Sequence, residues 1–158
     1  MVKVLFLCLG NICRSPMAEA YFRHLVKQEG LEGVFSIDSA GIGSWHQGKP
    51  PHEGTRNKLA EMNISDQGLI ARQITANDLE AFDYIIAMDD QNIAELTKIS
   101  QEAPRSQIAK LLDFVEQSPF KNVPDPYFTG DFDQTYHLVE QGCQALLDHI
   151  VKENQLKI

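Results

Sequence analysis

Val2-Lys3-Val4-Leu5-Phe6-Leu7-Cys8-Leu9-Gly10-Asn11-Ile12-Cys13-Arg14-Ser15-Pro16 decides the fold, because three local signals meet in it. Residues 2–7 are a nearly continuous apolar run, which suits a strand buried on both faces, as in a parallel sheet. Ser15-Pro16 reads as a helix start, with Ser15 at the cap and Pro16 at the first helical position. The turn between them holds a cysteine, five residues, an arginine and a serine. It therefore joins a buried strand to a helix N-terminus, where free amides and a positive dipole end face anions. Gly10 and Asn11 tolerate the left-handed backbone that curls such a loop inward, and successive inward amides form a nest for oxyanions. Arg14 adds a planar fork able to hold two phosphate oxygens. The same field favours the thiolate of a cysteine at its centre, so Cys8 is expected to be ionised and nucleophilic. An isolated Cys and Arg at this spacing would read as a strand-end cysteine beside a surface arginine. The ordered context of strand, Gly-Asn, Arg-Ser-Pro and helix favours a phosphate loop instead.

Working outward, Ala18, Tyr21, Phe22 and Leu25 give the first helix its apolar stripe, and Gly30 stops it. Val34–Ala40 reads as a second strand closed by Gly41 and Gly43, followed by a loop from Ser44 to Pro51. Glu53–Met62 reads as helix, with His52 near its start, and Thr75–Phe82 as a short helix capped by Thr75. Tyr84–Met88 is a third buried strand, Gln91–Lys98 a helix and Ile108–Leu112 a short fourth strand. Asn122–Gly130, with Pro124 and Pro126, reads as a stiff loop. Phe132, Tyr136, Val139, Cys143, Leu146, Leu147 and Ile150 recur at helical spacing in a long final helix. Strands alternating with helices imply an α/β fold with a mostly parallel sheet, whose ligands bind at the carboxyl ends of strands.

With 158 residues, a single domain over 1–158 is expected, large enough to bury a core without staples. The net charge of -8 argues against a general nucleic-acid binder, which needs a basic footprint. The apolar run at the N-terminus meets Gly10, Asn11 and Arg14 at once, and no stretch is long enough to span a bilayer. A cytoplasmic address without membrane attachment is therefore expected. Cys8, Cys13 and Cys143 are too few and too unevenly spaced for a disulfide framework or a zinc site. Cys143 lies on the apolar stripe of the last helix and reads as core. His24, His46, His52, His137 and His149 are scattered without ligand spacing and read as solvated or capping residues. No metal and no cofactor is expected.

Beyond the phosphate loop, the chain carries Met17-Ala18-Glu19, Asp38-Ser39-Ala40-Gly41, Ala71-Arg72-Gln73, Ala87-Met88-Asp89 and Pro124-Asp125-Pro126-Tyr127. With the loop, these segments resemble the low-molecular-weight protein tyrosine phosphatases, especially the bacterial members, over nearly the whole chain. The resemblance implies a four-stranded parallel sheet of order 2-1-3-4 with helices on both faces. It implies hydrolysis of phosphotyrosine on proteins through a phosphocysteine, with inorganic phosphate as product. Cys8 is then the nucleophile, Arg14 the phosphate clamp and Asp125 the general acid. Leu9, Gly10, Asn11, Ile12, Cys13 and Ser15 bind the phosphate, and Ser39 supports the loop. By the same analogy Ser15 stabilises the Cys8 thiolate and Asn11 braces the loop. Pro124 and Pro126 limit the backbone around Asp125, and a carboxyl facing a phosphate dianion holds its proton more readily. Trp45, Tyr127 and Phe128 match or adjoin the aromatic walls of a deep cleft, which sandwich a phenyl ring. A monomer or weak dimer is expected.

Three positions bear on rivals and departures. A related branch that hydrolyses phosphoarginine carries threonine where this chain has Ile12, whose bulk suits a flat phenyl ring. Cys13 is placed to form a reversible disulfide with Cys8 under oxidation, as in some members, or else is a small buried residue. Many members carry a histidine at the position of Leu69 that holds the loop asparagine, so Asn11 is expected to be braced differently, through water or another side chain. A thioredoxin-coupled arsenate reductase needs further cysteines mid-chain, and none lies between Cys13 and Cys143. A phosphate-binding or carrier module lacks both the arginine clamp and the distal acid.

Overall fold

The structure is a computed structural model and describes residues 1–100 and 103–156. The chain runs β1 (Val2–Cys8), α1 (Arg14–Gln28), β2 (Phe35–Gly41), α2 (Glu53–Glu61), α3 (Asp78–Ala81), β3 (Tyr84–Ala87), α4 (Asp90–Ile99) and β4 (Gln107–Lys110). A 3-10 turn (Leu111–Phe114), α5 (Pro126–Thr129) and α6 (Phe132–Glu153) complete it. The strands form one parallel sheet in the order β2-β1-β3-β4, as the resemblance implies. β1 is hydrogen-bonded on both sides, Leu5 lying between Asp38 and Ile85. That central place explains its unbroken apolar run.

Alternation along β1 divides the core. Val4, Phe6 and Cys8 face α1 and α6, where Phe6 meets Phe22 edge-on at 5.5 Å and Phe22 meets Phe35 at 5.6 Å. Leu5 and Leu7 face the other side, against Ile74, Leu79, Phe82 and Leu96. Each fully buried side chain of this size contributes about 1.5–3 kcal/mol, so the two layers hold the sheet from both faces. Cys143 is buried in the first layer, as its place on the stripe of α6 predicts.

Several local expectations are corrected. Helix α1 begins at Arg14, its cap is Cys13 with no side-chain bond, and Ser15 turns its hydroxyl inward instead of capping. Thr75 does not cap α3; the Asp78 carboxylate accepts from the Thr75 amide and hydroxyl, reversing the expected polarity. The fourth strand ends at Lys110, and Leu111 and Leu112 belong to the 3-10 turn. The stretch after Pro124 is a short helix, because Asp125 caps it and Pro126 fills its first position. His52 does cap α2, accepting from the Gly54 amide at 3.0 Å. Among the described residues no helix is long and apolar enough to cross a membrane.

Helix α6 lies so close to the 3-10 turn that a Cβ added at Gly142 would stand 2.4 Å from Leu111 Cγ. Leu111 is fully buried and cannot swing aside. Gly142→Ala is therefore expected to destabilise, since overpacking of about 1–3 kcal/mol outweighs the roughly 1 kcal/mol that alanine gains in a helix. Thermal unfolding should show Tm lowered by several degrees; an unchanged or raised Tm would contradict the close packing.

Candidate active site

The carboxyl end of β1 opens into a cavity of about 370 Å³ lined by Cys8, Leu9, Gly10, Ile12, Cys13, Trp45, His46, Asp125, Tyr127 and Phe128. Its floor is the loop from Cys8 to Arg14. Asn11 occupies the left-handed region at φ 58°, the curl expected of it, and its amide donates to Cys8 Sγ at 3.3 Å. Ser15 Oγ lies 3.0 Å from the same sulfur. The loop is seated against the end of β2, where a Cβ on Gly41 would stand 2.9 Å from the Gly10 carbonyl carbon. Only glycine permits that approach.

The side chains of Asn11 and Ser15 do not line the cavity. They are buried beneath it, so their grouping with the cavity-wall residues is corrected for the side chains. Asn11 Nδ2 donates to Ser15 Oγ at 2.7 Å and to Ser39 Oγ at 2.9 Å. Its Oδ1 accepts from the Arg72 amide at 2.9 Å. In a chain with Leu69, the asparagine oxygen is thus taken up by a main-chain donor, where a side chain or water was expected. Leu69 itself is buried in the core.

Arg14 is only 1% exposed. One terminal nitrogen donates to Asp89 Oδ2 at 2.6 Å and to the Val123 carbonyl at 2.8 Å. The other reaches Asp125 Oδ2 at 3.3 Å, and Nε is buried without a partner among the described residues. Burial works against its charge, but the Cys8 sulfur, Asp89 and Asp125 more than offset this and hold its pKa above the ordinary arginine value. Asp125 is fixed at its other oxygen, which accepts from the Tyr127 amide at 3.0 Å as the cap of α5. Cys13 differs from Cys8 in its surroundings: burial, then the nearby Cys8 and Asp125, push its thiol up to about 12.

The rim is aromatic and open to solvent, with Trp45, Tyr127 and Phe128 all exposed. Tyr127 packs edge-on to Phe128 at 5.2 Å and to His52 at 6.0 Å, and tilts against His46 at 6.3 Å. His46 therefore lines the cavity, correcting its reading as a solvated or capping residue. The cavity can accept a flat ring between these walls with a tetrahedral anion on the loop. Among the described residues no cluster of His, Cys, Asp or Glu is arranged to hold a metal.

The family model for low molecular weight phosphotyrosine protein phosphatases matches residues 3–156. The chain belongs to this family. It is 54% identical over 156 residues to the low molecular weight protein-tyrosine-phosphatase YfkJ of Bacillus subtilis, covering 99% of this chain and all of that one. The crystal structure of YfkJ superposes with a TM-score of 0.94, covering 97% of this chain and 96% of the other. PtpA of Staphylococcus aureus is 45% identical over 159 residues, covering 99% of each chain. A Drosophila arginine phosphatase shares the fold at TM-score 0.87 and 35% identity, over 94% of this chain and 98% of its own. As a phosphatase of this family the chain is a cysteine-based hydrolase.

Asp89 is the residue that sequence reasoning passed over. It closes the segment Ala87-Met88-Asp89 at the carboxyl end of β3, beside the end of β1, and that placement was its signal. It caps α4 through one oxygen, accepting from the Asn92 amide at 2.8 Å, and holds Arg14 through the other. Asp89→Asn keeps a good capping side chain but removes the charge. Aryl phosphate turnover is expected to fall about 10- to 100-fold as the guanidinium shifts, with Tm little changed. Undiminished kcat/KM would show that Arg14 is held without Asp89.

Proposed function

We propose that this phosphatase hydrolyses phosphotyrosine on proteins, as a single domain, through a covalent phosphocysteine. Cys8 Sγ attacks phosphorus while Asp125 protonates the departing phenolate oxygen. Water, deprotonated by Asp125, then attacks the phosphocysteine and releases inorganic phosphate and the Cys8 thiolate. Arg14 and the inward loop amides stabilise the charge on the transferred oxygens, which is the work a metal does elsewhere. The observation that carries this reading is that Cys8, its sulfur held by two hydrogen-bond partners, and Asp125 line one cavity, with the buried Arg14 fork directly behind Asp125 and bonded to its carboxyl at 3.3 Å. The buried Nε of Arg14 lacks an acceptor, which an oxygen of a bound phosphate would supply. Cys8→Ser is expected to abolish turnover of an aryl phosphate. Asp125→Ala should lose far more rate on phenyl phosphates than on esters with an acidic leaving group, which need no proton. An Asp125→Ala variant equally impaired on both would remove Asp125 from the acid role.

The likeness to an arginine phosphatase supports a second substrate, phosphoarginine. The bulk of Ile12, which lines the cavity together with Tyr127 and Phe128, supports the phenyl ring over the guanidinium. Hydrolysis of matched phosphotyrosine and phosphoarginine peptides is expected to favour phosphotyrosine; faster phosphoarginine turnover would reverse the assignment. Cys13 is the proposed partner of an oxidised Cys8. Peroxide converts the Cys8 thiolate to a sulfenic acid, releasing hydroxide. The Cys13 sulfur then displaces the sulfenic oxygen as water and closes the disulfide. The raised pKa of Cys13 makes that second step slow near neutrality. Peptide mass after peroxide treatment is expected to show a Cys8–Cys13 linkage that accumulates faster at higher pH.

A further inference from the structure

A buried chain of polar groups leads away from the cavity to a carboxylate that the reaction does not touch. Glu19, on α1, is 3% exposed and its Oε1 accepts from Ser39 Oγ at 2.6 Å. Ser39 Oγ accepts from Asn11 Nδ2, which also donates to Ser15 Oγ, and Ser15 lies against the Cys8 sulfur. Hydroxyls have one proton each, so the direction of every bond depends on its neighbours. An ionised Glu19 can only accept. It therefore draws the Ser39 proton toward α1 and leaves the Ser39 lone pair for Asn11. Asn11, donating with both its amide protons, leaves the single Ser15 proton to be directed at Cys8 Sγ or, at 3.4 Å, at the Ala40 carbonyl. The shorter contact is to sulfur, and the whole chain then points its protons consistently.

We propose that Glu19 is a positioning residue for the reaction, its carboxylate setting the proton direction of the Ser39–Asn11–Ser15 relay so that Ser15 donates to the Cys8 thiolate. Because Arg23 donates to Oε2, the proton of a neutral Glu19 belongs on Oε1, in the contact with Ser39. Two hydroxyl protons would then compete for one position, and the Ser39 proton would turn toward the Asn11 amide.

The charged groups around Glu19 are few. Arg23 pairs with it from the next turn of α1 and also donates to the Ile37 carbonyl. Asp38 on β2 repels it from beside Ser39, and Arg72, itself paired with Asp38 and Asp78, attracts it weakly from the segment before α3. Burial dominates and raises its pKa to about 6, with Ser39 and Arg23 opposing. Glu19 is therefore mostly ionised above about pH 6 and mostly neutral below it. In the sequence Glu19 stands only as the last residue of Met17-Ala18-Glu19, with nothing local to mark its burial against Ser39.

The test compares wild type with Glu19→Gln across pH 5–8 on one aryl phosphate, so that substrate ionisation cancels in the ratio. At pH 8 the variant is expected to lose about tenfold in kcat with KM changed less than twofold, because the nucleophile and not phosphate binding is affected. The deficit should shrink as pH falls and follow one ionisation near 6, where the wild-type carboxylate becomes neutral. Arg23→Met retains Glu19 but removes its cation, so that ionisation should move upward by about half a unit or more. Ser39→Ala should produce a comparable loss to which Glu19→Gln adds little. A deficit constant across pH, no deficit at pH 8, or an unmoved midpoint in Arg23→Met would each overturn the proposal. Arg23→Met also decides the matter should the amide variant fold poorly. The inference rests on Cys8 as nucleophile, and that premise fails separately, if Cys8→Ser retains turnover.

Discussion

A guanidinium taken almost wholly out of water must meet fixed acceptors or pay a desolvation penalty of several kcal/mol. Arg14 meets them on three different parts of the chain: Asp89 after β3, the Val123 carbonyl and Asp125 before α5. The requirement to satisfy one charge thus draws the end of β3 and the acid loop onto the turn that follows β1. The reaction proposed for this site needs nucleophile, clamp and acid within reach of one phosphorus atom. A single buried cation supplies much of that convergence.

The loop beneath the cavity is held by a different device. Its curl places Asn11 in a conformation that most residues avoid, and the cost is offset by hydrogen bonds on every polar atom of its side chain. The hydroxyls of Ser15 and Ser39 and the backbone amide of Arg72 make those bonds. The last of these shows how the family's loop survives with leucine at position 69. A main-chain donor from the neighbouring segment is a sufficient partner for the asparagine oxygen, and Leu69 contributes to the core instead.

The rim obeys other rules. Trp45, Tyr127 and Phe128 are large, apolar and exposed, an arrangement that monomeric proteins keep for contacts with something else. Tyr127 and Phe128 stand on the one-turn helix that Asp125 caps, and Trp45 on a loop, whereas Cys8 closes β1 and Arg14 opens α1.

Local pattern was enough to read the parallel α/β sheet, the strand–turn–helix of the phosphate loop and most of the helices. Those features depend on apolar periodicity and on the conformational freedom of Gly10 and Asn11, which neighbours in sequence determine. The one-turn helix at Pro126 is hidden in the sequence because four residues between Pro124 and Gly130 are too few to show an apolar period. Asp89, His46 and Glu19 escaped for a deeper reason. Their partners lie 75, 81 and 20 residues away in the chain, at Arg14, Tyr127 and Ser39. Whether a carboxylate is a solvated cap, the anchor of a buried arginine or the end of a proton relay depends on what packing brings beside it, and only the folded chain decides that.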